Sequence, residues 1–168
     1  MFNQVRRLGL LAALLTLLLT ALVACGGTAG ASPESRVQGY ITDMNSAFAD
    51  KDLANAAKQE EWADKLSKYF MPAEQAAQKT EIKDGLAQFS SMPGMSVKIE
   101  NVKLEKVSES GNNAEVKFVD GTMIMDIAGQ KTEQKLAETG LVSEGGAPTD
   151  LVKLQKVDGV WYMVSGTP

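Results

Sequence analysis

Histidine is absent from this 168-residue chain, and cysteine occurs once. Without imidazole, Ser–His–Asp and Cys–His triads, His-based proton transfer and His-rich metal sites are ruled out. A single cysteine cannot close an intramolecular disulfide, and a free thiol in an oxidising compartment is a liability. Basic residues are outnumbered, 17 against 21 acids, and form no cluster. An acidic body of this kind is repelled by nucleic acid and by anionic headgroups, so neither nucleic-acid binding nor flat adhesion to a bilayer is expected.

What the chain does have is a leading apolar run. After MFNQVRR, residues Leu8 to Ala24 are apolar except for Gly9, Thr16 and Thr20. That run is short of the roughly 20 residues that a stable transmembrane helix needs. A basic start, an apolar middle and small residues before a processing point make residues 1–24 a secretory signal peptide. Arg6-Arg7 suggests the twin-arginine route, but Gly9 and the strong hydrophobicity favour the general secretory one.

Leu22-Val23-Ala24-Cys25 resembles the lipobox of bacterial lipoproteins. The resemblance implies that the Cys25 thiol receives a diacylglycerol and that Cys25 becomes the mature N-terminus. It thus implies a lipid anchor at Cys25 in the cell membrane, on the extracytoplasmic side. Acylation accounts for the lone thiol, and two chains are what stable anchoring requires, since one alone is marginal. Loss of Arg6 and Arg7 with the leader takes the net charge from −4 to −6, because no acid leaves with them. The lipidated cysteine and a flexible linker occupy residues 25–34, in which Gly26 to Ser32 is small and Gly-rich.

Residues 35–168 read as one domain. Ser32-Pro33-Glu34-Ser35 is a helix start, and Val37, Tyr40, Ile41, Met44, Ala47 and Phe48 recur at helical spacing. Asp50-Lys51-Asp52 interrupts the stripe, with Asp52 expected to cap a second helix that Pro72 closes. A third helix over 73–89 buries Ile82, Leu86 and Phe89. From Ser96 the period becomes two, with a shift of parity that predicts a bulge near Asn101. A second strand starts at Ala114 and continues past a kink at Asp120-Gly121. Gly129-Gln130 leads into a polar strand ending near Val142. Asp158-Gly159 closes a terminal hairpin.

Helices followed by strands predict an α+β fold, N-terminal helices packed on a curved antiparallel β-sheet. AFADKDLANAAK at 47–58 and LVKLQKVDGVWYMV at 151–164 resemble the start and end of NTF2-like, cystatin-type cone domains. The resemblance extends loosely over 35–168 and includes small lipoproteins of this kind. It implies a cone interior, with Tyr40, Met44, Phe118, Met123, Met125, Trp161 and Met163 as candidate cavity lining.

Three chemistries bear on these residues. NTF2-like enzymes resembling ketosteroid isomerase use a carboxylate and a tyrosine, for which Tyr40, Tyr69 and Asp43 are the nearest in type. Tyr40, however, lies on the apolar stripe and Asp43 on the opposite, solvated face. Asp50, Asp52 and Glu61 match three positions of a calcium loop, but Asn55 replaces the needed glycine and the site is rejected. Met92 and Met95, with Met123 and Met125, offer soft thioethers suited to copper, yet methionine more often fills cores or lines adaptable cavities. No metal or cofactor is expected.

In the terminal hairpin, Val157, Val160, Tyr162 and Val164 make an apolar face opposite Val152, Leu154, Trp161 and Met163. That second face is covered either by the chain's own helices or by a second copy, a homodimer through the outer sheet face. The expected function is a non-enzymatic, membrane-anchored lipoprotein binding a protein partner or small apolar ligand. The alternative is an isomerase- or dehydratase-like enzyme using a carboxylate and Tyr in the cone.

Overall fold

The structure, a computed structural model, describes residues 32–139, 142–144 and 147–165. The expected leader, the lipobox-like stretch ending at Cys25 and the expected linker up to residue 31 lie outside the described residues.

The Ser32 hydroxyl accepts the Ser35 backbone N–H at 3.2 Å, and Pro33 opens helix α1 (Pro33–Phe48). Proline suits that position because its missing N–H is an orphan donor in any case. The stripe buries as its spacing predicts, with Val37, Ile41 and Ala47 at most 1% exposed. The next helix starts later than expected. Turns fill residues 50–55, and Asn55, not Asp52, caps α2 (Ala56–Ser67) by accepting the Ala57 N–H. Asp50 takes a different task, accepting the Trp62 indole N–H at 2.8 Å and so holding the turn against α2. Buried Gln59 donates to the Leu53 carbonyl and the Ser90 hydroxyl, which ties α2 to α3 (Gln75–Ser90).

Strand β1 (Met95–Ser110) and strand β2 (Asn113–Ile127) pair antiparallel along nearly their whole length. Asn101 adopts a φ of 56°, and the register shifts between Glu100 and Lys103. This is the bulge that the parity change predicts. Opposite it, Gly121 has a φ of 140°, a conformation open to glycine. A Cβ there would stand 2.9 Å from Leu136 Cδ1 and 3.3 Å from the Val102 Cα. The free side of β2 is shared: its first half pairs with β6 (Leu151–Val157), its second with β3 (Gln130–Lys135). Bulge, kink and change of partner bend the sheet into a half-barrel.

One expected strand is corrected. The polar run after Gln130 stops at Lys135, and a four-residue helix, α4 (Leu136–Thr139), follows. Leu136 is fully buried beneath Gly121, so a single apolar residue ends the strand by anchoring in the core. Short strands β4 (Val142–Glu144) and β5 (Ala147–Thr149) form a separate pair. Strand β7 (Val160–Met163) closes the terminal hairpin through Asp158 and Gly159 at φ 50° and 80°, as a type I′ turn requires. Beyond β7, Tyr69–Met71 runs alongside it, trading backbone hydrogen bonds with Met163 at 2.9 and 3.0 Å.

Side chains pack in two apolar clusters. The larger joins α1 to the sheet around Phe118, Leu136, Leu154, Trp161 and Met163. The smaller joins the three helices around Ala47, Leu53, Leu66 and Leu86. Tyr40, Met44 and Ile82 pack against both. The result is an α+β domain in which helices precede a curved antiparallel half-barrel sheet.

Candidate functional site

Where the two clusters part, a cavity of about 360 Å³ remains. Its size falls near the lower end of small-molecule sites, which run from about 300 to 1,000 Å³. Helix α1 contributes Tyr40, Met44 and Phe48, and α2 contributes Leu66. From α3 come Ile82, Gly85, Leu86, Gln88 and Phe89, the spacing of one helical face. The α3–β1 turn adds Met92, and the sheet adds Met95, Val97, Ile99 and Met123. Four of these are methionines, whose unbranched thioethers adapt to irregular shapes. Among the described residues, none that lines the cavity is charged.

The elements around the cavity are joined by one polar strap and several ring contacts. The Asn45 side chain, one residue past Met44, donates to the Ile99 carbonyl at 2.7 Å and accepts the Ile99 N–H at 2.8 Å. It acts as a one-residue strand against the edge of β1 and sets the spacing between α1 and the sheet. On the helical side, Phe48 and Phe89 meet with ring centroids 4.7 Å apart, spanning α1 and α3. Tyr40 is packed edge-on against Tyr69 and Phe70, each at 5.6 Å. Burial pushes its phenol up to about 12. Gly85, in the middle of α3, leaves open space, since a Cβ there meets nothing within 4 Å.

Of the residues expected to line an interior cavity, Tyr40, Met44 and Met123 do so. Phe118, Trp161 and Met163 do not: at 1%, 3% and 1% exposure they are packed into the closed core under β2, β6 and β7. Met125 shares the inner face with Met123, two residues on, and is half-buried beyond the lining. The interior is therefore filled at the hairpin end and hollow under α3. The extra lining from Gly85 to Val97 had one signal in the sequence, 13 consecutive residues without a charge.

The carboxylate Asp43 and the tyrosine Tyr69 lie outside the cavity. Asp43 does not face solvent as expected. It lies between α1 and α2, accepting the Tyr69 hydroxyl at 2.8 Å and paired with Lys65 at 2.8 Å. Burial, then the hydrogen bond to Asp43, pushes Tyr69 up to about 12. The Arg36 guanidinium stacks over the Tyr69 ring at 4.5 Å and the Tyr162 ring at 5.1 Å, and donates to the Lys68 carbonyl. Neither Asp43 nor Tyr69 lines the cavity. The same Arg36 contact bears on the second face of the terminal hairpin, where Tyr162 is partly covered from within the chain.

Among the described residues, no group of three or more metal-ligating carboxylate or thiol side chains gathers, and no helix is long and apolar enough to cross a membrane. No known protein-family model matches the chain, and no curated protein matches it. What the geometry defines is an α+β half-barrel domain with an uncharged, methionine-rich cavity between its helices and its sheet.

Proposed function

We propose that this chain is a lipid-anchored lipoprotein on the extracytoplasmic side of the cell membrane, whose NTF2-like domain holds a small apolar ligand without catalysing a reaction. The carrying observation is the cavity: about 360 Å³ of space walled by apolar side chains. Burial of hydrocarbon is worth about 25 cal/mol per Å² and needs no specific partner atoms, so such walls select for apolarity. The anchor rests on the lipobox-like residues ending at Cys25, and the NTF2-like reading on helices preceding a curled sheet. The isomerase-like alternative asks for a carboxylate and a hydroxyl in one pocket. The lining supplies Tyr40 and no carboxylate, while Asp43 is engaged by Tyr69 and Lys65.

Two measurements on the full chain test this reading. Metabolic labelling with palmitate is expected to mark the protein and to fail on Cys25→Ser, which keeps its leader uncut. An apolar fluorophore such as N-phenyl-1-naphthylamine is expected to brighten on the protein and to be displaced by filling the cavity through Gly85→Trp. Labelling that survives Cys25→Ser, or a fluorophore indifferent to the protein, refutes the corresponding half.

A further inference from the structure

The rim of the cavity carries more information than its walls. Residues 85–97 form a run of 13 without a charge, in a chain that is 23% charged. Met92 lies within this run, lines the cavity and is 41% exposed, so the lining reaches solvent at the α3–β1 turn. Gly85, on the facing turn of α3, leaves that side open as well. Glycine in a helix interior is disfavoured against alanine, and Gly85 is an exposed lining position with open space beside it.

Three properties narrow the occupant. Small-molecule sites fix orientation with a few placed polar groups, and here Tyr40 and Gln88 alone bring polar side-chain atoms to the lining, so little in it fixes one orientation. Flexible methionine walls suit a flexible occupant. Taking a methylene as no larger than a water's ~30 Å³ share of the liquid, the volume holds about a dozen carbons. A free fatty acid would bring a carboxylate to the opening, and neither the cavity lining nor the 85–97 segment supplies a cation to receive it. A bilayer lipid keeps its headgroup in the interface and needs none.

We infer, resting on the apolar-ligand reading above, that the cavity takes one acyl chain of a membrane phospholipid, entering past Met92 with the uncharged 85–97 segment against the bilayer. The acidic body is repelled by an anionic surface, and this segment adds no charge of its own to that repulsion.

The test reconstitutes the full chain in phosphatidylcholine vesicles containing a phosphatidylcholine with a diazirine halfway along one chain. After irradiation, adducts are mapped by mass spectrometry. The expected result is adducts on Ile82, Phe89 and Val97, reduced about tenfold by Gly85→Trp, which denies the chain a few methylenes of depth. Met92→Glu, at an exposed position that does not threaten folding, is expected to reduce them comparably. Parallel arms use a diazirine fatty acid and a rigid diazirine steroid. Stronger labelling by the fatty acid overturns the phospholipid source. Labelling by the steroid alone overturns the acyl-chain assignment and leaves the apolar-ligand reading standing. No labelling by any probe overturns both, and adducts unchanged in the two variants overturn the entry route.

Discussion

Replacing Asn45 by alanine isolates the contact that spaces the helices from the sheet. The wild-type side chain satisfies both polar groups of Ile99, a residue 3% exposed on the unpaired edge of β1. Each such hydrogen bond contributes about 1 kcal/mol net, and a donor or acceptor left buried without a partner costs about 1–3 kcal/mol. Partial access of water to the edge keeps the sum toward the lower end, so Asn45→Ala is expected to cost about 2–3 kcal/mol. Against a typical stability of about 5–15 kcal/mol this is a large fraction. For a domain of this size it corresponds to a fall in melting temperature of about 6–12 °C. Urea unfolding followed by circular dichroism measures it directly. The Asn45→Asp variant refines the reading, because a carboxylate accepts from the Ile99 N–H but faces the Ile99 carbonyl with no proton to donate. The folded state therefore raises the pKa of the introduced carboxyl above its unfolded value of about 3.9. The deficit relative to wild type is smallest below that value, where the protonated acid donates, and grows as pH rises through the raised folded pKa. A cost below about 0.5 kcal/mol for Asn45→Ala, or an Asn45→Asp deficit that does not change with pH, refutes the bidentate strap.

The tyrosines and one glycine supply two further predictions. Tyr40 and Tyr69 are both pushed up to about 12 in the fold, against about 10 in the unfolded chain. The protonated phenols are favoured by folding, so the stability they contribute is complete below about pH 10 and is lost as pH rises towards 12. Absorbance at 295 nm is expected to show two phenolates appearing only near that limit, together with unfolding; ionisation of both near 10 in the native protein contradicts it. Gly121→Ala places a side chain at φ 140° and 2.9 Å from Leu136, and is expected to cost about 2–4 kcal/mol by thermal melting. Its counterpart Gly85→Ala, in a helix with open space around the new methyl, is expected to stabilise by about 0.5–1 kcal/mol.

Much of the architecture is legible in short stretches because its causes act over a few residues. Ser32-Pro33 starts a helix through a contact three residues long, and Asp158-Gly159 turns a hairpin through the φ that those residues tolerate. The bulge at Asn101 shows as a change of parity, since burial alternates with the pleat on either side of it. The failures are also instructive. Asp52 and Asn55 are both competent caps, and Asn55 is used while Asp50 is drawn to Trp62, 12 residues on. Leu136 sits in a polar run whose alternation predicts more strand, but the hollow under Gly121 accepts it and the strand ends.

Composition, the order of apolar and polar residues and the local turn chemistry were enough to dictate an acidic α+β body and a leading apolar run, with no histidine chemistry open to the chain. Tertiary packing alone decided that Asp43 meets Tyr69 across 26 residues and that Asn45 meets Ile99 across 54. It also decided which end of the interior is filled. A cavity is a place where packing stops, set by how α3 lies over β1, and no local periodicity records a contact that is not made. The sequence marks it only indirectly, through the charge-free residues that border the opening.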